Sequence, residues 1–327
     1  MVHSTWDSLA TDYEMQGFAV LRNVFSPAAV MGPVMAGYSR HCDELAKQWL
    51  EAGVITDYDA NETPENKMLS LMQQTDGNCF QHLDITLPVE DKITHDSPLY
   101  LDVSIFNLLR NAELLDAIEK IIGPEIYSVP VQHMRIKPPQ KNISDETQSH
   151  TLTLTGKTFW HQDLAVVTPD ADNTNMLGVW LAVNEATVEN GCLIVVPGSH
   201  KQGLVHHCDK PHLQGIPDTL VGEAFLALPV SPGDVIFLHP LTMHASLANV
   251  SNGGRWSFDL RYCPAGEPTG REWFPGFLAR SRAMPGAVMQ DHHQWVREWF
   301  NARSQLAGQP HPKFDRWDKN DRSPLCA

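Results

Sequence analysis

The sequence lacks the cysteine spacing of a zinc ribbon or a redox dithiol, because no two of its cysteines form a C-x-x-C pair. Scattered cysteines are typical of reduced, mostly buried thiols in a cytosolic protein, and we expect that state here. The six cysteines are Cys42, Cys79, Cys192, Cys208, Cys263 and Cys326.

Long hydrophobic runs are also missing. No window approaches about 18 uninterrupted apolar residues, and the amino terminus has neither the basic region nor the apolar run of a signal peptide. The carboxyl-terminal residues 324–327 match neither a peroxisomal nor an endoplasmic-reticulum retention signal. The sequence therefore predicts a soluble, cytoplasmic protein without a membrane partner.

Positive charge is in deficit. The chain has 24 basic against 39 acidic residues, a formal charge of −15, which disfavours nucleic acid as a partner because nucleic-acid binding needs a positive face. With 42% hydrophobic and 19% charged residues among 327, the composition is that of a globular protein with a sizeable core. We expect a small molecule as the partner, and the sequence carries no signal for the oligomeric state.

Short β-like segments follow one another between residues 126 and 265, with Pro-Gly and Asn-Gly turn signals between them. No helical pattern separates these segments, which favours a sandwich or jelly roll over a parallel α/β sheet. The sequence thus predicts a mainly β protein with flanking helices. The expected segments cover residues 126–137, 151–155, 160–167, 176–183, 192–196, 225–230, 234–238 and 255–262.

Helical patterns flank the β region. Ser26-Pro27 marks the start of an amphipathic helix that ends near Gly53, and a second helix or helix pair is expected between residues 101 and 122. We predict one catalytic domain over residues 1–327, made of a helical cap with loops at 1–125, a β core at 126–265 and a helical extension at 266–327.

His161 and Asp163 are separated by one residue within a β-like segment. Side chains at i and i+2 share one face of an extended strand, so this imidazole and this carboxylate could bind one metal ion together. A chain with 16 histidines contains such pairs by chance, and a second one, His82 and Asp84, lies in a loop-rich region without a later partner. We expect His161 and Asp163 to be the metal-binding pair.

The third ligand must come from a later segment, and His239 and His244 compete for this role. His244 follows a predicted buried strand, and Arg255 opens the next strand eleven residues later. A histidine and an arginine on neighbouring strands of a barrel can face the same interior. Arg255 could therefore bind a carboxylate of a metal-bound molecule.

Two imidazoles and one carboxylate on one face of a metal leave three octahedral positions open, the arrangement of non-haem Fe(II) oxygenases. A catalytic zinc with the same three ligands and a water molecule is one alternative. The other alternative is that His161 and Asp163 form an ordinary polar pair on a strand.

Several segments together resemble the phytanoyl-CoA dioxygenase family of Fe(II)/2-oxoglutarate oxygenases. The resemblance covers about residues 10–265, and the segments agree with the family in order and in spacing. The matching segments are residues 17–21, 136–139, 159–163, 177–183, 189–200, 232–234 and 244–246, together with Arg255.

The resemblance implies a double-stranded β-helix core, of the cupin-like jelly-roll type, that carries an iron site. Fe(II) would be bound by His161, Asp163 and His244, and the distal carboxylate of 2-oxoglutarate would be bound by Arg255. The positions that correspond to the lining of the 2-oxoglutarate pocket in the family are Trp180, Ser246 and His133.

The resemblance also implies a reaction in which O₂ oxidises, in most cases hydroxylates, a C–H bond of a small organic substrate, while 2-oxoglutarate is decarboxylated to succinate and CO₂. Desaturation or rearrangement at the same site, a cupin-like zinc hydrolase or isomerase, and a binding protein without catalysis are the alternatives. Arg255 disfavours the zinc enzyme, which needs no carboxylate clamp. Arg280 and Arg282 could anchor an anionic substrate, and surface solubility is the other explanation for them.

Overall fold

The computed structural model describes residues 3–89, 92–140, 158–210, 213–317 and 323–326. Its helices are α1 (Leu9–Gln16), α2 (Pro27–Glu51), α3 (Pro64–Gln74), α4 (Phe80–Leu83), α5 (Val103–Leu109), α6 (Ala112–Ile122), α7 (Asp218–Val221) and α8 (His292–Ala307). Its strands are β1 (Phe18–Leu21), β2 (Ile126–Ser128), β3 (His133–Lys137), β4 (Leu177–Ala182), β5 (Leu193–Val195), β6 (Cys208–Lys210), β7 (Leu213–Gly215), β8 (Leu226–Leu228), β9 (Val235–Leu238), β10 (His244–Ser246), β11 (Arg255–Pro264) and β12 (Phe277–Arg280).

Strand β11 lies at the centre of the larger sheet and pairs antiparallel with β3, β4 and β2. The strand order of this sheet is β1-β9-β4-β11-β2-β12, with β3 as a further partner of β11. A smaller antiparallel sheet has the order β10-β5-β8, and apolar side chains of both sheets share one buried cluster. This sandwich confirms the predicted mainly β fold with flanking helices.

The two faces of β11 have different environments, as the alternation of side chains along a strand requires. The even-numbered side chains belong to the large core that β11 shares with α2, α5, α6 and α8; they are Trp256, Phe258, Leu260 and Tyr262. The odd-numbered side chains point to the opposite face; they are the polar Arg255, Ser257, Asp259 and Arg261 and, near the end of the strand, Cys263. One strand therefore supplies both a hydrophobic surface for the helices and a row of polar groups.

The predicted helices of the cap are present. Helix α2 begins at Pro27, directly after Ser26, and ends at Glu51, while α5 and α6 fill the second predicted helical region. Among the described residues, no helix is both long enough and apolar enough to cross a membrane.

The larger sheet extends beyond the predicted β core of residues 126–265. Strand β1 pairs with β9, and β12 pairs with β2, although they lie in the segments assigned to the helical cap and the helical extension. Each is only four residues long, and its partner is far away in the sequence, so local periodicity does not reveal the pairing. The predicted segment at 151–155 lies outside the described residues, and the single-domain assignment stays a prediction.

A carboxylate fixes the start of β9 against β1. Asp234 accepts hydrogen bonds from the guanidinium of Arg22 (2.5 Å) and from the backbone N–H groups of Asn23 (3.0 Å) and Ser231 (2.9 Å). The Asp234 side chain is only 5% exposed. These bonds connect the end of β1 to the turn before β9 and so maintain the pairing of the two strands.

Replacing Asp234 by alanine should destabilise the chain. Two backbone donors and one guanidinium would lose their acceptor, and each buried unsatisfied group costs about 1–3 kcal/mol, so we expect a loss of roughly 2–4 kcal/mol in the free energy of unfolding. Urea unfolding measures this loss. The exposed Asp218 is the matched control, because Asp218→Ala should change stability by no more than about 0.5 kcal/mol. Equal unfolding midpoints for the two variants would contradict the role of Asp234.

Candidate metal centre

His161, Asp163 and His244 form one group in the folded chain. Their ligand atoms all lie within 4.8 Å of one another, and the two imidazole centroids are 4.1 Å apart. The Nε2 atom of His244 is 3.9 Å from Oδ1 of Asp163, and both of these side chains are buried. The structure therefore brings together the three side chains expected to bind a metal.

The segment that carries His161 and Asp163 is extended only at its start. The backbone N–H of His161 donates to the carbonyl of His244 (3.0 Å), and the N–H of His244 donates to the carbonyl of His161 (3.0 Å). Gln162 is extended, but Asp163 begins a 3-10 turn that runs to Val166. The predicted strand over 160–167 is thus wrong after Gln162. His161 and Asp163 still lie close together, because the i, i+2 relation requires only that Gln162 between them is extended.

In both histidines the Nδ1 atom lies next to a backbone carbonyl oxygen. Nδ1 of His161 is 2.9 Å from the carbonyl of Phe159, and Nδ1 of His244 is 2.9 Å from the carbonyl of Thr242. A carbonyl oxygen only accepts, so in each ring Nδ1 carries a proton and Nε2 is the nitrogen available to a metal ion. Burial, with the proximity of His244, lowers the pKa of His161 to about 3. His161 is therefore neutral at physiological pH, as a metal ligand must be.

Gln162 lies between His161 and Asp163, and its hydrogen bonds attach this segment to neighbouring parts of the chain. Its buried side chain donates to the carbonyls of Gly203 (2.8 Å) and Leu241 (2.7 Å) and accepts from the N–H of Val205 (2.8 Å). Its backbone N–H donates to Nε2 of His207 (3.1 Å). With these donors and acceptors paired, the loop has little freedom to move the ligands.

Asp163 is paired with an arginine that the sequence interpretation missed. The Arg261 guanidinium donates to Oδ1 of Asp163 and also lies 3.6 Å from a carboxylate oxygen of Asp259. Burial alone would raise the pKa of Asp163, but the charge of Arg261 and the nearby imidazoles hold it well below its usual range. The carboxylate is thus kept ionised. Arg261 follows Arg255 by an even number of residues, so the period-two rule for strands could have identified it.

Arg255 lies on the same face of β11 and is 3% exposed. Its guanidinium donates to the hydroxyl of Ser257 (3.1 Å), and its central carbon lies 5.2 Å from the ring centroid of Trp180. Burial lowers the pKa of Arg255 to about 10, which still leaves it charged at neutral pH. Within the described ranges Nε of Arg255 has no hydrogen-bond partner. Burying a cation without a paired anion is energetically costly.

The remaining predicted pocket residues, Ser246 and His133, have polar partners. The Lys137 ammonium donates to the hydroxyl of Ser246 (2.6 Å), and this hydroxyl donates to Oγ1 of Thr158 (2.9 Å). Nδ1 of His133 is 2.8 Å from Oδ2 of Asp84, and Oδ1 of the same carboxylate accepts from the N–H of Met134 (3.0 Å). Asp84, the carboxylate of the second His-x-Asp pair, thus contacts the start of strand β3.

The other residues considered in the sequence, His239, Arg280 and Arg282, have different partners. His239 packs against His200 and Tyr13, and its Nδ1 accepts from the N–H of Leu241 (3.1 Å). Arg280 and Arg282 form ion pairs with Glu119 on α6, at 2.9 Å each. Among the described residues, His239 does not join the group formed by the three ligands. The ion pairs explain Arg280 and Arg282 as contacts that attach β12 to α6.

Comparison with known sequences supports one family. The model of the phytanoyl-CoA dioxygenase family matches residues 13–257. The chain is 28% identical to peroxisomal phytanoyl-CoA dioxygenase of Bos taurus over 77% of this chain and 67% of that protein. It is 30% identical to the Homo sapiens protein over 54% of this chain and 51% of that protein. The match thus spans about half to two thirds of these relatives. A Caenorhabditis elegans phytanoyl-CoA dioxygenase domain-containing protein 1 homolog is 26% identical over 78% of this chain and 89% of that protein.

Solved structures share the fold. The non-haem monooxygenase ThoJ has a TM-score of 0.55 at 18% identity and covers 92% of this chain and 99% of its own. The epimerase SnoN, solved with Fe³⁺, alpha-ketoglutarate and nogalamycin RO, has a TM-score of 0.51 at 18% identity, over 82% of this chain and 88% of its own. These similarities confirm the jelly-roll fold. The match of the family model over residues 13–257 establishes that the chain belongs to the phytanoyl-CoA dioxygenase family of iron- and 2-oxoglutarate-dependent oxygenases.

Proposed function

We propose that this enzyme hydroxylates a C–H bond of a small organic substrate with O₂, coupled to decarboxylation of 2-oxoglutarate to succinate and CO₂. The observation that carries the proposal is the group of His161, Asp163 and His244, of which the last two are buried, beside a sheet that also presents the buried Arg255. A zinc hydrolase with the same three ligands would have no need for a buried arginine that has no carboxylate partner among the described residues.

The residues present fit an iron ion. Nε2 of His161 and Nε2 of His244 would bind it together with the Asp163 carboxylate, which Arg261 keeps ionised. Oδ2 of Asp163 has no hydrogen-bond partner among the described residues, as expected for a carboxylate whose remaining capacity serves a ligand. When bound, iron with 2-oxoglutarate supplies the oxidative chemistry that activates O₂.

The residues also fit 2-oxoglutarate. Arg255 would bind the distal carboxylate through a charge-assisted hydrogen bond, with Trp180 beneath its guanidinium and Ser257 at its side. Ser246 and Lys137 are joined by a hydrogen bond and provide further polar groups for the pocket. His133 is a weaker part of this proposal, because Asp84 already occupies its Nδ1.

Gly178 makes room for the ligand carboxylate. A Cβ atom at this position would lie 2.8 Å from Oδ2 of Asp163, and 3.2 Å and 3.3 Å from Cβ and the carbonyl oxygen of Leu238. A side chain at position 178 would require Asp163 to move, because the Leu238 carbonyl oxygen is backbone and does not give way easily.

The substrate is proposed only as a class. The named relatives include peroxisomal phytanoyl-CoA dioxygenases, and the structural neighbours include an epimerase, so the family fold accommodates CoA-linked and free substrates and more than one outcome. We propose a small organic molecule, a cytoplasmic location and hydroxylation as the outcome. Arg280 and Arg282 are not included in the substrate site because they already form ion pairs with Glu119 and, for Arg280, also with Asp116.

Anaerobic addition of Fe(II) and 2-oxoglutarate should produce the visible charge-transfer absorption of the iron chelate, and O₂ should then yield succinate. His161→Ala should abolish the absorption because it removes one of three metal ligands. Absence of both absorption and succinate in folded wild-type protein would refute the proposed function.

Replacing Arg255 by alanine should raise the 2-oxoglutarate concentration for half-maximal absorption at least tenfold, since a hydrogen bond to a charged group contributes about 1.5–3 kcal/mol. Iron affinity without 2-oxoglutarate should be unchanged. The matched control is Arg282→Ala, because the Arg282 side chain is 63% exposed and paired with Glu119. If both variants needed the same 2-oxoglutarate concentration, the assignment of Arg255 would fail.

Gly178→Ala should weaken iron binding by roughly 10–100-fold, because the new methyl group displaces the Asp163 carboxylate from its position. Equilibrium dialysis with Fe(II) under argon measures the affinity, and circular dichroism establishes folding. Gly32→Ala is the control, since Gly32 lies in α2 with open space around it and alanine favours a helix by about 0.5–1 kcal/mol. Wild-type iron affinity in folded Gly178→Ala would show that the contact with Asp163 is tolerated.

A further inference from the structure

A second group of metal-ligating side chains lies where the carboxyl-terminal segment meets β6. His206 Nε2, Cys208 Sγ and Cys326 Sγ lie within 4.8 Å of one another, and Cys208 forms a disulfide with Cys326. The prediction of reduced thiols is thus wrong for this pair, whose members are 118 residues apart in sequence; the other four cysteines are free and buried.

We propose that these three side chains form a redox-dependent metal site, which binds one zinc ion or a similar thiophilic divalent ion when the disulfide is reduced. The site is separate from the iron centre, shares no ligand with it and does not depend on the proposed oxygenase reaction.

The positions of the ligand atoms suit zinc. With Zn–S near 2.3 Å and Zn–N near 2.0–2.1 Å, a tetrahedral ion separates two sulfur ligands by about 3.8 Å and a sulfur from a nitrogen by about 3.5 Å. His206 Nε2 is already 3.3 Å from Cys326 Sγ. Once the disulfide is broken, two non-bonded sulfur atoms move to about the van der Waals separation of 3.5–4.0 Å, which is the separation that zinc needs.

The chemistry is that of a Cys₂His site with one open position for water. A dithiol reductant supplies two electrons and two protons, so that it becomes a disulfide while Cys208 and Cys326 become thiols. Metal binding then releases the thiol protons, because the thiolate is the ligand. Cys208 is buried, but His206 and Cys326 are partly exposed, which gives the reductant and the metal access.

The location of the site gives it a structural consequence. His207, between two of the ligands, accepts the backbone N–H of Gln162 and stacks against Trp317, with ring centroids 5.0 Å apart. The indole N–H of Trp317 donates to the carbonyl of Ala165 (2.9 Å). A bond or a metal ion between Cys208 and Cys326 therefore ties the carboxyl-terminal segment to the loop that carries His161 and Asp163.

Cobalt(II) tests the proposal, because thiolate ligation gives a strong near-ultraviolet charge-transfer absorption that the sulfur-free iron centre cannot produce. The full chain is reduced with a phosphine and freed of it under argon. Six thiols are then counted in a denatured portion, because four of the cysteines are free and buried in the folded chain. The folded remainder is titrated with Co(II). We expect the thiolate absorption to saturate with one cobalt per chain in this group, to be absent from the oxidised chain, and to be lost on addition of zinc. No thiolate absorption in a chain with six titratable thiols would overturn the proposal.

Three variants assign the ligands. Cys326→Ser should lose the thiolate absorption, and His206→Ala should weaken cobalt binding at the site at least tenfold while it retains both thiols. His161→Ala should keep the absorption, because it affects only the iron centre. Persistence of the absorption in Cys326→Ser, or unchanged affinity in His206→Ala, would overturn the assignment. Since none of these outcomes involves 2-oxoglutarate turnover, failure here is distinguishable from failure of the oxygenase function.

Discussion

The two-sided character of β11 is the constraint on which the rest of the structure depends. Its even-numbered side chains are large and apolar and hold the helices against the sheet, while its odd-numbered side chains include the two buried arginines. Because side chains alternate strictly along a strand, a shift of one residue in the pairing of β11 would place tryptophan and phenylalanine at the site and arginine in the core. Correct registry with β3 and β4 is therefore a condition both for stability and for the site.

Charge is distributed over the site so that each group has the protonation state that its role requires. The backbone carbonyls next to His161 and His244 fix the tautomers, and burial keeps His161 neutral. Arg261 lies against Asp163 and keeps it ionised in a place where burial alone would favour the neutral acid. Arg255, by contrast, has no carboxylate partner among the described residues. The same strand thus carries one arginine that is neutralised within the protein and one that has no carboxylate partner in the part of the chain that the structure describes.

The loop at Gln162 joins several remote parts of the chain. The Gln162 side chain binds the segments at Gly203, Val205 and Leu241, and its backbone N–H donates to His207. Trp317 from the carboxyl-terminal region covers His207 and holds the end of the loop through Ala165. The geometry of the metal ligands therefore depends on residues that are distant in sequence from any of the ligands.

Local patterns in the sequence determined the mainly β class, the helices α2, α5 and α6, and the identity of the ligand-bearing motif, because periodicity, caps and turn residues act over a few positions. The resemblance in order and spacing added His244 and Arg255. The tertiary structure agrees with the choice of His244 over His239, because it places His244 in one group with His161 and Asp163. It alone placed β1 and β12 in the sheet, paired Arg261 with Asp163, and joined Cys208 to Cys326. Each of these is a contact between segments far apart in the chain, and such contacts follow from how the sheets pack rather than from any local pattern of residues.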